Sequence, residues 1–184
     1  MTTIISMRLL SVFAALWGLI GVLALLSFSV YRLGFIAATF FAYPANYWHW
    51  AALLVWLFFM AYSEGYKGFQ LAFAPRVAAR LHWLVINPKP WLVILAPLYA
   101  MGFIYASYKR MLISHMILVM VMVFVLLAEV LPAPWRAIVD AGVVLGLSWG
   151  IVAILVCTAK VLLCSADRVD PELPEHIKAT TGSV

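Results

Sequence analysis

Glu64 stands in the most polar junction of an otherwise apolar chain, Tyr62-Ser63-Glu64-Gly65-Tyr66-Lys67-Gly68-Phe69-Gln70. A carboxylate at such a place suits acid–base work or an ion path, and the two glycines let backbone approach it closely. Glu129 lies three residues before Pro132, Asp140 opens the next apolar run, and Arg76 and Arg80 follow Glu64 in the chain. Guanidiniums can hold a headgroup phosphate while a carboxylate beside them acts as acid or base. The catalytic candidates are therefore Glu64, Glu129 and Asp140, with Lys67, Arg76 and Arg80 as headgroup- or partner-binding residues. The same residue types also make interfacial ion pairs and a helix N-cap, where Asp140 would be favourable.

His49 and His115 are expected on one membrane face, on two helices that run the same way, a placement compatible with axial ligation of a haem. Neither has a neighbouring motif, and a lone interfacial histidine is the ordinary case, so no cofactor is expected. The 4 histidines are too scattered for a zinc or di-metal cluster, and no metal is expected. G-x-S-x-G, P-loop and H-E-x-x-H patterns do not occur. Cys157 and Cys164 lie about 10 Å apart along a helix, too far for a disulfide within it. They read as small apolar side chains, Cys164 at the membrane edge being open to palmitate.

The elements that must position these groups are apolar helices. The 184 residues are 67% hydrophobic and 10% charged, against roughly 45–50% and about 25% in soluble domains. Only lipid can cover so much apolar surface, and isolated spanning segments must be helical to satisfy their own backbone. The sequence predicts an all-α, multi-pass integral membrane bundle over residues 1–164. Five spans are expected, at residues 9–31, 48–63, 91–108, 111–131 and 141–163, with a polar tail at 165–184. The first run exceeds a signal-peptide core of roughly 7–15 residues and reads as a retained anchor. Residues 33–42 are too few to span and are expected at the interface or re-entrant.

Residues 64–90 form the least generic connection. Phe69, Phe73, Val77 and Leu84 recur at helical spacing beside Lys67, Arg76 and Arg80, which predicts an amphipathic helix in the headgroup layer, started or interrupted at Pro75. Aromatic residues gather at the predicted ends, as in an aromatic belt. Five alternating spans would put Glu64, Lys67, Arg76, Arg80, Lys89, Glu129, Arg136 and Asp140 on one face. Arg32, His49, Lys109, Arg110 and His115 would take the other, and basic residues divide too evenly to orient the chain.

Gly142, Gly146 and Gly150 recur every four residues and form a smooth face for another helix, inside the chain or across a homodimer seam. Ala14, Gly18 and Gly21 make a weaker version. Lys89-Pro90-Trp91 followed by Pro97-Leu98-Tyr99-Ala100-Met101-Gly102 resembles one segment of the tryptophan-rich sensory proteins. The likeness stops at Gly102, falls on the third predicted helix rather than an earlier one, and carries no function across.

The net charge of +5 sits mostly at run ends and serves the membrane surface, so membrane lipids are expected partners and nucleic acid is not. Three function classes follow. The first is a non-catalytic accessory, assembly or scaffolding subunit that meets other membrane subunits or its own copy. The others are a small oligomeric transporter or channel, and a membrane enzyme acting on a lipid or isoprenoid.

Overall fold

The computed structural model describes residues 2–87, 89–164 and Glu172, and among these the secondary structure is helical throughout. Helix α1 spans Thr2–Ala38 and tightens into a 3-10 turn at Thr39–Ala42. Helix α2 (Tyr47–Met60) runs without interruption into a π-helix (Ala61–Phe73) and then α3 (Ala74–Ile86). Two short helices follow, α4 (Pro90–Ile94) and α5 (Ala96–Ala100), then α6 (Tyr108–Glu129) and α7 (Trp135–Cys164). Three stretches, Ser11–Ala42, Tyr108–Glu129 and Trp135–Leu162, are long and apolar enough to cross a membrane.

Several expectations are corrected. Residues 33–42 continue α1 and its terminal turn instead of forming a separate interfacial piece. The helix expected within 64–90 is present up to Ile86, but it continues α2 instead of following a separate connection. Pro75 does not break it, because the proline sits where π hydrogen bonding gives way to α, and a missing donor is best tolerated at the start of a new helical register. Among residues 74–85 none is fully exposed, and Ala74, Val77, Ala78, Leu81 and Leu84 are buried. The expected single helix over 91–108 is broken twice. Pro97, in the first turn of α5, cannot continue a helix begun at Pro90, and Gly102 takes φ 81°.

Helix α7 starts at Trp135, directly after Pro134. Asp140 is therefore inside its second turn, rather than at the N-cap, and pairs with Arg136 at 3.8 Å in an i,i+4 contact.

The chain divides into two compact units. The first comprises Met1–Leu23, Pro75–Leu118 and Val156–Val184; the second comprises Ala24–Ala74 and Val119–Leu155. In the first, Ala14, Leu84, Leu92, Val93, Ala96 and Tyr99 form the core, with Trp83, Ile104 and Tyr105 against it. A Cβ at Gly18 would lie 2.8 Å from Leu81 Cδ2, and one at Gly21 would collide with Pro97. These glycines let α1 meet α3 and the broken segment closely. The second unit's core is Phe40, Leu53, Ala137 and Ile138.

Contacts in the second unit fix a direction. The His49 ring is 5.5 Å from that of Trp135, Trp56 Nε1 donates to the Val139 carbonyl at 3.2 Å, and Trp149 Nε1 donates to Gln70 Oε1 at 2.9 Å. Both chains ascend together, so α2 with its π extension runs parallel to α7. Five alternating spans require these two to be antiparallel. Asp140, next to Val139, lies level with Trp56, and Glu64 packs further along α7 at Gly146; their expected shared face rested on the five alternating spans.

Candidate functional site

Two side-chain constellations stand out, one in each unit. In the first unit, breaking the helix between Pro90 and Tyr108 frees backbone carbonyls, and buried carbonyls need partners. Side chains from three helices supply them. Trp17 Nε1 donates to the Ile94 carbonyl at 3.3 Å, and Ser114 Oγ to that of Met101 at 3.4 Å. Arg80, 2% exposed, takes three more: Nε donates to the Tyr99 carbonyl at 2.6 Å, and Nη2 to those of Ile104 and Tyr105 at 2.8 and 2.9 Å. Its guanidinium also lies over the Tyr99 ring, 4.2 Å from the centroid. Beside it, Tyr105 packs against Trp83, Trp91 and Tyr99, and Lys89 Nζ donates to its hydroxyl.

Around this node lie Arg76, Arg110 and Glu172. Arg110 Nε is 3.4 Å from Glu172 Oε2, and the Ser107 amide donates to the Glu172 carbonyl at 2.9 Å. Burial pushes the Arg76 guanidinium below the usual arginine range, the like charge of Arg110 pushes the same way, and the Glu172 carboxylate opposes both.

In the second unit the glycine face of α7 is filled from within the chain. A Cβ at Gly142 would strike Trp56 and Met60, one at Gly146 would lie 2.6 Å from Glu64 Oε2, and one at Gly150 would lie 2.5 Å from Phe69 Cδ1. A homodimer seam on this face is thereby displaced. The π-helix explains the register. Met60, Glu64 and Phe69 are spaced four and then five, yet meet glycines spaced four and four. An α turn carries Met60 to Glu64; the wider π turn, bonded i to i+5, carries Glu64 to Phe69. In α geometry the residue over Gly150 would be Gly68.

The structure separates the residues that sequence grouped. Glu64 Oε2 is buried against Gly146 without a hydrogen-bond partner. Gly146 is six residues, about 9 Å, along α7 from Asp140, and Asp140 has Arg136 for its neighbour. Glu129 is exposed. Lys67 belongs to the second unit, exposed with Nζ 4.8 Å from the Tyr62 ring centroid, whereas Arg76 and Arg80 belong to the first.

The histidines are used locally. His49 closes a capping box, its amide donating to Asn46 Oδ1 at 3.1 Å and its Nδ1 accepting from the Asn46 amide at 3.2 Å. His115 Nδ1 is 2.7 Å from the Met111 carbonyl in its own helix. Among the described residues, no three His, Cys, Asp or Glu side chains group to hold a metal. Cys157 is a free thiol.

Sequence reasoning missed Tyr99, Tyr105, Arg110 and Glu172. Arg110 beside Lys109 looked like an end-of-helix cation, and nothing in a polar tail singles out one glutamate. The spacing of Trp56, Met60 and Glu64 at intervals of four was a usable signal, matching the glycine interval on α7. No family model, curated protein or solved structure matches this chain.

Proposed function

We propose that this chain is a non-catalytic, multi-pass membrane protein acting as an accessory, assembly or scaffolding subunit that meets its partner through α6. One observation carries the reading: every residue of 116–127 is exposed, on all sides of the helix. Twelve successive residues without intrachain cover include Met116, Met120, Met122 and Phe124, flexible and aromatic side chains suited to an adaptable helix contact. Arg80 and the glycine face of α7 are already engaged within the chain.

Parallel packing of α2 and α7 supports four passes instead of five: α1, the helix begun at Tyr47, α6 and α7. Parallel helices need an odd number of passes between them, and α6 supplies one. The helices α4 and α5, about 7.5 Å each, are too short to add another. Lys67 comes twenty residues after Tyr47, the length of one bilayer crossing, and so falls at headgroup depth. Arg76, Arg80, Lys89, Lys109 and Arg110 then share a side, with only Arg32 and Arg136 opposite. The positive-inside rule makes the first side cytoplasmic.

The test is single-cysteine cross-linking along residues 116–127 in native membranes, with Cys157 and Cys164 changed to serine. Adducts recurring at helical spacing are expected, to a second protein or to a second copy. Lipid contact alone at every position would sink the reading.

A second reading, a small transporter, is favoured by Glu64, because an unpartnered carboxylate within a membrane helix is costly and marks ion paths. Glu64→Gln separates the two. Loss of proton or cation flux in reconstituted vesicles belongs to transport; unchanged partner capture belongs to the accessory role. The membrane-enzyme reading is favoured by no observation beyond Glu64, because Asp140 pairs with Arg136 and Glu129 is exposed.

A further inference from the structure

We propose that Glu64 is a proton-binding site that switches helix packing: protonated, its carboxyl seats on Gly146 of α7, and ionised, it leaves for the Lys67 ammonium. The site lies wholly in the second unit. It stands whether or not α6 meets a partner and whether or not the proton crosses the membrane.

The seat is the first argument. A Cβ at Gly146 would lie 2.6 Å from Glu64 Oε2, 2.9 Å from Cδ and 3.1 Å from Cγ, so the end of the side chain rests on the glycine. Trp56 and Met60 close the same face at Gly142, and Phe69 closes it at Gly150. Oε2 is buried there without a hydrogen-bond partner. An ionised carboxylate in such a place is far costlier than a neutral carboxyl, and the group takes up a proton instead. Contact between the carboxyl and α7 leaves room for a proton and for no larger cation.

The neighbouring donors are the second argument. Ser63 Oγ turns back to the Phe59 carbonyl at 2.7 Å, Trp149 Nε1 donates to Gln70 Oε1 at 2.9 Å, and Lys67 Nζ lies over the Tyr62 ring. Trp149 packs on Gly65, the residue after Glu64, and Lys67 follows Glu64 by three. A carboxylate would compete for each of these donors. All three are engaged elsewhere, as they would be beside a neutral group.

Among the described residues of this unit, no other charge holds the carboxyl. On its own helix the remaining ionisable neighbours are Tyr62 and Tyr66, stacked on each other. Between Asp140, which pairs with Arg136, and Lys160, α7 carries no charged side chain, and Cys157 lies about 16 Å along its axis from Gly146. Tyr31, Arg32, Tyr47 and Glu129 are exposed, and Tyr43 and His49 lie together near Trp135 at the start of α2. Lys67, at headgroup depth, is the cation within reach, and there the released proton passes to water.

Thermal unfolding of the full-length protein in mild detergent, from about pH 5 to pH 9, tests this. The seated form holds the proton, so rising pH favours the released form and the Gly146 contact is lost. The wild-type midpoint should fall by about 3 °C relative to Glu64→Gln, which mimics the protonated group at every pH. Lys67→Gln removes the receiving ammonium, so its fall should come at higher pH. Infrared spectra at about pH 6, where ordinary carboxyls are ionised, should show a protonated-carboxyl band in wild type that Glu64→Gln lacks.

A difference between wild type and Glu64→Gln that does not change with pH overturns the proposal, as does a fall at the same pH with and without Lys67. Absence of the infrared band from wild type overturns it too. Should Glu64→Gln fail to elute as a single folded species, the pH at which the band disappears decides alone: it must be higher in Lys67→Gln than in wild type.

Discussion

Arg80 holds Tyr99 twice, through its carbonyl at 2.6 Å and through the face of its ring at 4.2 Å. One buried guanidinium thus fixes the end of α5 and, through the Ile104 and Tyr105 carbonyls, the irregular backbone beyond it. Arg80→Lys keeps the charge but loses the planar fork that reaches three carbonyls at once. Abandoned buried acceptors cost roughly 1–3 kcal/mol each, so a loss of about 3 kcal/mol is expected. Thermal or denaturant unfolding in detergent checks it, and a lysine variant as stable as wild type would show that these bonds carry little weight.

The glycines of α7 should differ sharply from Gly34. A Cβ at Gly150 would lie 2.5 Å from the Phe69 ring, whereas one at Gly34 would meet nothing within 4 Å. Gly34→Ala should be neutral or stabilising by about 0.5–1 kcal/mol, from helix propensity alone. Gly150→Ala should destabilise by about 1–3 kcal/mol, the usual cost of overpacking. Paired unfolding curves decide it, and equal effects at the two positions would argue against close packing at Gly150.

Legibility followed the physics of each feature. Apolar run length announces long helices, and the runs at 111–131 and 141–163 meet α6 and the greater part of α7. Glycines spaced by four announce a close helix neighbour. The break at Pro97 was hidden because apolar side chains on both sides keep hydropathy high while the backbone changes course. The direction of α7 relative to α2 is a tertiary fact, and parity could supply it only if every apolar run were a full crossing. Residues 91–108 read as one apolar run, yet the helix there breaks at Pro97 and Gly102. The π-helix was equally concealed, since its purpose appears only against the glycine register of α7.

That register makes a deletion informative. Removing Gly68 places Phe69 four residues after Glu64, the interval of an α turn, so Phe69 can still meet Gly150 with the π turn relaxed to α. Removing Val55 from α2 instead rotates everything after it by about 100° and takes Glu64 and Phe69 off the glycines. The Gly68 deletion should therefore lose much less stability than the Val55 deletion, measured by unfolding midpoint and by yield of the monodisperse protein. Equal damage would refute the idea that the π-helix serves only to set this register.

Four passes and five passes differ in where the chain ends. Beginning on one side, four crossings return the C-terminus to that side, and five leave it opposite. The basic residues Arg76, Arg80, Lys89, Lys109 and Arg110 predict that the shared side is the cytoplasm. Epitope tags at the N- and C-termini should then both be protected from protease in intact cells and both be cut after permeabilisation. A cysteine at Ala133, between α6 and α7, should react with an impermeant maleimide from outside. If one terminal tag is cut in intact cells and the other is not, the pass count is odd, and the short helices α4 and α5 must be counted as part of a crossing.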